Sequence, residues 1–189
     1  MSKPVAFLDA CVLYPQSVRD VFIQFAFDNF YQANWSLKVE QEFVKNVEKN
    51  IPSTKGKLVN TINNMRKTIP DFLSESSSQT LALISSTKTD KKDIEILSAS
   101  IDSNCTHLIT YNLRDFDISF AAAKAVSIIH PDEFLFQIIS KNELAALNSF
   151  NSAVSRTKKP PRTFDDYCNG LRINNLNKTT DLLLAICDK

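Results

Sequence analysis

The sequence predicts an α/β fold with a parallel central sheet and a helical C-terminal region. Short apolar runs at 4–9, 107–110 and 126–129 have the length and composition of buried strands. Segments with helical spacing of apolar residues separate them, and only helical patterns follow residue 131. Because strands that alternate with helices pair in parallel through right-handed crossovers, we expect one parallel sheet covered by helices.

The amino-terminal part is predicted to contain one strand followed by three helices. The strand at 4–9 is followed by helices at 17–29, 37–49 and 55–69. In the first two helices, apolar residues recur at the spacing of an amphipathic helix. Ser36 is suited to cap the second helix, because its hydroxyl can accept a hydrogen bond from a backbone N–H of the first turn.

The middle of the chain supplies the remaining predicted strands. Residues 81–85 are predicted as a short strand, and Asp90 as the cap of a helix at 91–103. The strands at 107–110 and 126–129 then complete the sheet.

The C-terminal region is predicted to be entirely helical, with helices at 131–140, 141–154, 163–171 and 177–187. A basic, proline-containing segment, RTKKPPR at 156–162, interrupts the series. Because this region has too few apolar residues for a large core of its own, we expect a sheet domain at 1–135 and a helical extension at 136–189 packed on it.

Composition excludes several classes of protein. A net charge of +1 gives no global field that would attract a polyanion. No apolar run has the length of a membrane span, and the N-terminus has no charged-then-apolar leader, so we expect a cytoplasmic protein. The four cysteines are widely spaced without a zinc pattern, and we expect free thiols at Cys11, Cys105, Cys168 and Cys187.

The scarcity of glycine and histidine narrows the chemistry further. With only Gly56 and Gly170, the chain cannot form a glycine-rich loop for dinucleotides or phosphates. His107 and His130 are too few for histidine triads or zinc sites, and each is expected to pack at a strand edge. Carboxylates remain as the abundant ligands, and these favour Mg²⁺ or Mn²⁺ over zinc.

Two carboxylates fall at the ends of predicted strands. Asp9 closes the run VAFLD, and Asp115 follows the run HLITYN. The carboxyl ends of parallel strands share one edge, where ligands bind in open α/β sheets. We therefore expect the two acids to lie close together at this edge, and such a pair of carboxylates indicates a site for a divalent cation.

Five segments, in this order along the chain, resemble a known family: FLDACVLYP, VRDVF, WSLKVEQEF, DKKDIEILSASI and LITYNLRDF. They resemble the PIN-domain nucleases, and more narrowly the VapC-like branch of toxin ribonucleases that has a helical C-terminal extension. The resemblance covers roughly 5–130 well and the tail more loosely. It implies a PIN-like three-layer α/β/α fold and a hydrolase, an endoribonuclease that cuts RNA phosphodiester bonds with Mg²⁺ or Mn²⁺.

The resemblance also implies the residues of the site. The matching acids, implied to be both catalytic and metal-binding, are Asp9, Glu42, Asp93 and Asp115. Of these, Asp9 and Asp115 would bind the metal directly, Asp93 directly or through water, and Glu42 would bind metal or orient the attacking water. Asn112 stands where relatives have Asp or Asn, which leaves open whether one or two metal ions bind.

The implied partners follow from the same family. They are an RNA substrate, with tRNA or ribosomal RNA as the expectation, and the cognate antitoxin protein of a type II toxin–antitoxin system. A homodimer is also implied, and no membrane partner is expected.

Local patterns leave alternatives beside these assignments. Glu40 lies closer than Glu42 to the apolar stripe of its helix, and only the resemblance selects Glu42. Asp90 and Asp93 share a helix face, and the motif again selects Asp93. Taken singly, each acid also suits a turn, a helix start or a solvated surface.

Candidate substrate contacts are mostly positive, namely Arg19, Asn112, Arg114, Lys158 and Lys159. Arg19 and Arg114 could each contact a phosphate or pair with a carboxylate. The basic run at 156–162 could track phosphates or form a solvated loop.

Two uncharged features also have alternative roles. Thr110 could hydrogen-bond a metal ligand or simply suit a strand. The aromatic residues Phe30, Tyr31 and Trp35 could stack on unpaired bases, but we expect them in the core.

Two other functions compete with a nuclease. A non-catalytic, PIN-like RNA-binding or scaffold protein would lack one of the acids, whereas all four positions are filled. A phosphotransferase with Asp9 as nucleophile would have a second Asp two positions on, where Cys11 stands.

Overall fold

The computed structural model describes residues 3–157 and 160–188, and the predicted α/β class is confirmed. Four parallel strands form one sheet in the order β2-β1-β3-β4. They are β1 (Val5–Leu8), β2 (Gln32–Asn34), β3 (His107–Ile109) and β4 (Ser127–Ile129).

Helices connect the strands and continue beyond the last one. The helices between strands are α1 (Ala10–Leu13), α2 (Gln16–Phe27), α3 (Leu37–Asn50), α4 (Val59–Thr68), α5 (Ser78–Ile84), α6 (Ile94–Asp102) and α7 (Ile118–Ala123). The C-terminal helices are α8 (Pro131–Ile139), α9 (Glu143–Arg156), α10 (Phe164–Ile173) and α11 (Asn177–Cys187). Short 3₁₀ turns lie at Pro52–Thr54 and Leu113–Asp115.

The central strand β1 is covered on both faces. Successive side chains of a strand point to opposite faces, and Ala6, Phe7 and Leu8 are all 0% exposed. β1 pairs in register with β3, with Ala6 opposite His107 and Leu8 opposite Ile109. A parallel sheet buried on both faces is the arrangement that helical crossovers produce, so the fold has helices on each side of the sheet.

The helix predicted after Ser36 forms as expected. The Ser36 hydroxyl accepts a hydrogen bond from the Val39 backbone N–H (3.3 Å), which makes it the N-cap of α3. Val39, Phe43 and Val47 are buried along one stripe of this helix. Trp35 and Tyr31 are also buried, as predicted, so they belong to the core.

The strand predicted at 81–85 is wrong, because these residues belong to helix α5. The Ser77 hydroxyl accepts a hydrogen bond from the Thr80 backbone N–H (3.2 Å) and caps the helix. The Asp102 carboxylate accepts from both the Ser77 N–H (2.6 Å) and the Thr80 hydroxyl (2.5 Å). A short apolar run fits a strand or a helix equally, and these capping contacts favour the helix.

The helix predicted at 91–103 begins later than expected, and Asp90 is not its cap. Helix α6 begins at Ile94, and Asp93 occupies the N-cap position. Asp90 instead organises the turn before the helix, where its carboxylate accepts from the Lys92 N–H (3.0 Å) and its carbonyl accepts from the Asp93 N–H (2.9 Å).

The two histidines have different roles. His107 packs at the strand edge as predicted, with its ring edge-on to Phe134 at a centroid distance of 5.3 Å. For His130 the predicted packing role was incomplete, because it is the N-cap of α8 and its Nδ1 accepts a hydrogen bond from the Asp132 N–H (3.2 Å). A histidine that precedes proline is extended, which is the backbone geometry of a cap.

The C-terminal helices share the hydrophobic core of the sheet. Phe134 of α8 stacks on Phe22 of α2 (6.2 Å between centroids) and meets Tyr31 edge-on (5.1 Å). These aromatic residues are all fully buried and form one continuous cluster with β1 and β3. The helices from α8 onward therefore complete the core.

Helix α10 approaches α2 closely enough to require glycine. A Cβ atom placed on Gly170 would lie 2.4 Å from the Ser17 hydroxyl oxygen and 2.9 Å from its Cβ. Beside this contact, the Tyr167 hydroxyl donates a hydrogen bond to the Asp20 carboxylate (3.1 Å). The crossing is thus fixed by close backbone approach and by a polar contact.

Asp132 joins the first and last helices of the C-terminal region. Its buried carboxylate accepts hydrogen bonds from the backbone N–H groups of Lys178 (3.0 Å) and Thr179 (2.8 Å) at the start of α11. The Thr179 hydroxyl donates to the Asp132 carbonyl (3.0 Å). These bonds satisfy N–H groups that have no partner within the helix, and they place a negative charge at the positive end of its dipole.

Cys11, Cys105, Cys168 and Cys187 are free thiols, as predicted. Among the described residues, no helix combines the length and apolar character that crossing a membrane requires.

Substituting Asp132 tests how the last helix is held. We expect Asp132→Ala to lower the free energy of unfolding by about 2 kcal/mol, because buried N–H groups of α11 lose their acceptor. The measurement is urea unfolding followed by circular dichroism. The matched control is Glu133→Ala, which removes an exposed ion pair with Lys178 and an exposed hydrogen bond from Gln137 and should cost about 0.5 kcal/mol or less. Equal stability of the two variants would contradict the capping role.

Candidate functional site

Asp9 sits where β1 ends and α1 begins, buried with 4% of its surface exposed. Its backbone N–H still follows the sheet pairing and donates to the Ile109 carbonyl (3.1 Å). The Asp9 Oδ2 atom accepts hydrogen bonds from the Thr110 hydroxyl (2.6 Å) and the Cys11 thiol (3.0 Å). Both bonds use the same oxygen, which leaves Oδ1 for another ligand.

Thr110 and Cys11 fix the orientation of this carboxylate. Thr110 follows β3, which neighbours β1, so parallel pairing brings its hydroxyl to Asp9. Of the two roles considered for Thr110, the structure therefore shows hydrogen bonding to a site acid. Burial raises the pKa of the Cys11 thiol, and Asp9 adds to this effect, so the thiol stays protonated and donates.

Asp93 is the least satisfied acid in this region. Its residue surface is 7% exposed, and none of the described residues hydrogen-bonds its buried Oδ2 atom. Burial raises the pKa of Asp93 to about 6; Lys92 opposes the rise, and Asp9, Asp115 and Asp90 add to it. An ionised carboxylate buried beside other acids without a hydrogen bond is costly, so this group is suited to receive a cation or a proton.

Asp115 is brought to Asp93 by backbone pairing between two loops. The Asp115 carbonyl accepts a hydrogen bond from the Asp90 N–H (2.7 Å), which ties the 3₁₀ turn at Leu113–Asp115 to the turn before α6. The Asp115 side chain is 31% exposed, and its Oδ2 accepts from the Lys92 ammonium (3.0 Å).

Glu42 approaches the same region from helix α3. Burial raises the pKa of Glu42, Lys38 opposes this shift, and Asp9 and Glu95 add to it. These effects place Glu42 within electrostatic range of Asp9, although the two lie on separate elements. Asp9 thus influences the pKa of both Glu42 and Asp93, and Asp115 influences that of Asp93.

Glu40, the alternative to Glu42, is occupied by structural contacts. Its carboxylate is buried, accepts from the Trp35 indole N–H (3.0 Å), and forms a two-pronged ion pair with Arg66 (3.1 and 2.5 Å). A carboxylate with this full set of donors has no free oxygen for an external ligand. The apolar stripe of α3 thus indicated burial correctly, and Glu40 stabilises the fold, whereas the assignment of Glu42 to the site stays a prediction.

The donor set suits a hard divalent cation, but no ligand set is preassembled. In residues 3–157 and 160–188, no three acidic, histidine or cysteine side chains lie close enough together to hold a metal ion. Carboxylates repel one another, so ligands at this spacing would draw together around an ion or bind it through water. The buried, unpartnered Oδ2 atom of Asp93 is the observation that fits such an ion best.

The predicted substrate contacts are distributed unevenly. Asn112 and Arg114 are exposed beside Asp115, and the Asn112 N–H donates to the Thr110 hydroxyl (3.0 Å). The Arg19 guanidinium donates to the Leu13 carbonyl (3.2 Å), pairs with Asp20 (3.5 Å) and lies over the Phe43 ring. For Arg19 these contacts match the alternative of a structural ion pair.

The basic segment is only partly described. Lys158 and Lys159 lie outside the described residues, so their predicted role stays a prediction. At either end of the segment, Arg156 lies over the Phe27 ring (5.1 Å to its centroid) and Arg162 over the Tyr167 ring (5.9 Å).

Two lysines and one glutamate near the acids were not predicted. Lys38 pairs with Glu95 (3.2 Å) and donates to the Lys92 carbonyl (3.0 Å), and Lys92 pairs with Asp115. Glu95 is distant in sequence from Lys38, and Asp115 is distant from Lys92. The spacing of residues in the sequence therefore did not predict these two ion pairs. The helical register of Lys38 and Glu42, four residues apart on α3, is the one local hint.

Comparison with known proteins matches the C-terminal region. A family model described as the VapC50 C-terminal domain matches residues 131–185, which correspond to helices α8 to α11. Comparisons with curated proteins and with solved structures gave no match. The matched range lies outside the acidic site and within the helices that complete the core.

Exchanging the two glutamates of α3 separates structure from site. We expect Glu40→Gln to lower the free energy of unfolding by about 2 kcal/mol, since the buried ion pair with Arg66 is broken. Glu42→Gln should change it by about 0.5 kcal/mol or less, because that side chain is half-exposed and unpaired with a cation at contact distance. Chemical denaturation of both variants is the measurement, and a larger loss for Glu42→Gln would be inconsistent with these roles.

The raised pKa of Asp93 predicts a pH-dependent stability in protein stripped of metal with EDTA. Because its folded pKa of about 6 exceeds the ordinary aspartate pKa of 3.8, folding favours the protonated form. The stabilising contribution of neutral Asp93 is present below about pH 4 and is lost as the pH rises through 6.

Asp93→Asn imitates the neutral form at every pH. At pH 8 we expect this variant to be more stable than the wild type by about 1–2 kcal/mol, and at pH 4 equally stable. Unfolding curves at pH 4, 6 and 8 provide the measurement, with Asp71→Asn, at an exposed acid, as control. A variant less stable than the wild type at pH 8 would show that ionised Asp93 is well solvated.

Proposed function

We propose that this chain is a VapC-like PIN toxin and a metal-dependent endoribonuclease that hydrolyses RNA phosphodiester bonds, since residues 131–185 match the VapC50 C-terminal domain and the sheet is parallel. The observation that carries the proposal is the buried carboxylate of Asp93, which lacks a hydrogen bond on one oxygen and lies among other acids at the carboxyl edge of the sheet. The match of residues 131–185 to the VapC50 C-terminal domain supports the toxin role, and the acids support the chemistry.

Asp9, Asp93 and Asp115 are the residues proposed to hold Mg²⁺ or Mn²⁺. Asp9 would contribute Oδ1, because its Oδ2 is engaged by Thr110 and Cys11, and Asp93 would contribute its unpartnered Oδ2. A bound divalent ion supplies charge stabilisation for the pentacoordinate phosphate and lowers the pKa of a bound water.

The chain's own residues position these groups. Thr110 and Cys11 hold the Asp9 carboxylate in one orientation, and the backbone bond from Asp90 to Asp115 keeps the loops of Asp93 and Asp115 together. A group held by hydrogen bonds to rigid elements needs little reorganisation during the reaction.

Glu42 is proposed to orient the attacking water and accept its proton. Its pKa is raised by burial and by Asp9 and Glu95, which makes it a stronger base than a solvated glutamate.

Asn112 and Arg114 are proposed to contact the RNA backbone next to the scissile phosphate. Both are exposed and precede Asp115, Asn112 as the N-cap of the 3₁₀ turn and Arg114 within it. An arginine there would bind a phosphate through two N–H groups, and an amide would bind a phosphate or a base edge. Lys158 and Lys159 are proposed to contact more distant phosphates.

The biological setting is proposed from the family. A VapC-like toxin has an antitoxin partner, and we propose that this chain is silenced by a cognate antitoxin, forms a homodimer and acts in the cytoplasm. Single-stranded loops of tRNA or ribosomal RNA are the proposed targets, because unpaired bases are accessible to a protein surface.

A nuclease assay tests the proposal. We expect the purified protein to cut tRNA or ribosomal RNA with Mg²⁺ or Mn²⁺, to stop with EDTA, and to lose about 10²-fold or more of its activity in Asp9→Asn. The control is Asp71→Asn, an exposed acid that lines a cleft with Gln32 at the start of β2, at the opposite edge of the sheet.

Circular dichroism would show whether each variant is folded. Equal cleavage by Asp9→Asn, or cleavage that persists in EDTA, would refute the mechanism. RNA binding without cleavage under every metal condition would favour the non-catalytic, PIN-like RNA-binding alternative.

A further inference from the structure

Lys92 occupies a special position among the acids. Its ammonium lies 3.0 Å from Asp115 Oδ2 and 3.9 Å from Asp93 Oδ2, so one positive charge stands between two of the carboxylates. The first distance is a hydrogen bond, and the second is too long for one. Asp93 Oδ2 is thus near a cation without being bound by it, which agrees with its lack of a hydrogen-bond partner among the described residues.

The backbone of Lys92 is fixed by hydrogen bonds, while its side chain extends into solvent. The Lys92 N–H donates to the Asp90 carboxylate (3.0 Å), and its carbonyl accepts from Lys38 (3.0 Å), which also pairs with Glu95. The side chain itself is 61% exposed. A lysine ammonium on a flexible four-carbon stem can leave an exposed ion pair at little cost in free energy.

We propose that Lys92 is a built-in counter-ion that holds the place of the divalent cation between Asp93 and Asp115 and is displaced when the cation binds. This inference rests on the proposed metal site and adds a positioning role for a residue outside the acids. The ammonium reduces repulsion between the carboxylates and competes with the metal for them. A divalent ion wins this competition because it carries twice the charge and can contact both carboxylates directly.

The competition predicts how metal affinity depends on residue 92. Removing the charge in Lys92→Gln should tighten Mn²⁺ binding by about threefold to tenfold, the equivalent of one or two exposed ion pairs. Lys92→Arg keeps the charge and should stay close to the wild type. Lys91→Gln is the matched control, since Lys91 is exposed next to Lys92 and has no ion pair within the described part of the chain.

Isothermal titration of the full-length protein with Mn²⁺ alone measures these affinities. Thermal unfolding gives a second readout that does not depend on activity. In EDTA, Lys92→Gln should melt below the wild type, because Asp93 and Asp115 lose their counter-charge. With saturating Mn²⁺ the difference should vanish or reverse, since tighter metal binding stabilises the variant more.

The outcomes are distinguishable. Tighter binding by Lys92→Gln alone, with the change in relative melting temperature, supports the proposal. Equal Mn²⁺ affinity for all four proteins overturns it while leaving the metal site intact. An equal gain in Lys91→Gln overturns it as well, because a general effect of net charge would explain both variants. No Mn²⁺ binding by any of them overturns the proposed metal-dependent function together with this inference.

Discussion

Repulsion between carboxylates at the carboxyl edge of the sheet is the constraint on which the arrangement depends. Parallel pairing of β1 with β3 places Asp9 beside Thr110, and the backbone bond from Asp90 to Asp115 adds two more acids from separate loops. A folded chain keeps such a cluster only if other interactions offset its cost. Here the repulsion is offset by hydrogen bonds to one oxygen of Asp9 and by the positive charges of Lys38 and Lys92, which pair with Glu95 and Asp115.

Two carboxylates of similar burial have opposite roles, because one is fully hydrogen-bonded and the other is not. Glu40 and Asp93 are 5% and 7% exposed, respectively. The Glu40 carboxylate accepts hydrogen bonds from the Trp35 indole N–H and from two N–H groups of Arg66, so both of its oxygens are hydrogen-bonded within the protein. Asp93 has an oxygen without a donor and a raised pKa. Incomplete satisfaction, more than burial, therefore distinguishes a group that is available to a ligand from one that stabilises the fold.

Features encoded by neighbouring residues were predictable from sequence. The buried strands and the Ser36 cap depend on apolar pattern and on a hydroxyl three residues from its donor, and both formed as expected. The run at 81–85 was assigned wrongly, because the acid that helps to cap α5 is Asp102, more than twenty residues away. The choice between Glu40 and Glu42 likewise depended on Arg66, which lies on another helix.

The candidate site was predictable only where a motif preserved it. Asp9 and Asp115 were predicted from strand ends, but Glu42 and Asp93 required the resemblance to a family. Helical periodicity favoured Glu40 over Glu42, and it did not distinguish Asp93 from Asp90, which shares its helix face. Lys92 illustrates the limit: it adjoins Asp93 in sequence, yet its significance comes from Asp115, which only the tertiary fold brings within reach. Electrostatic relations between separate loops have no periodicity that a sequence could display.

The contacts of Phe134, stacked on Phe22 and edge-on to Tyr31, determine whether the C-terminal helices could be removed without exposing the core. A fragment truncated at Ile129 would keep every acid of the site but would expose a broad aromatic surface of α2 and its neighbours to water. Such a fragment would be prone to aggregate. The helices after the sheet therefore close the hydrophobic core, and separating them from the sheet would expose apolar residues of both parts to water.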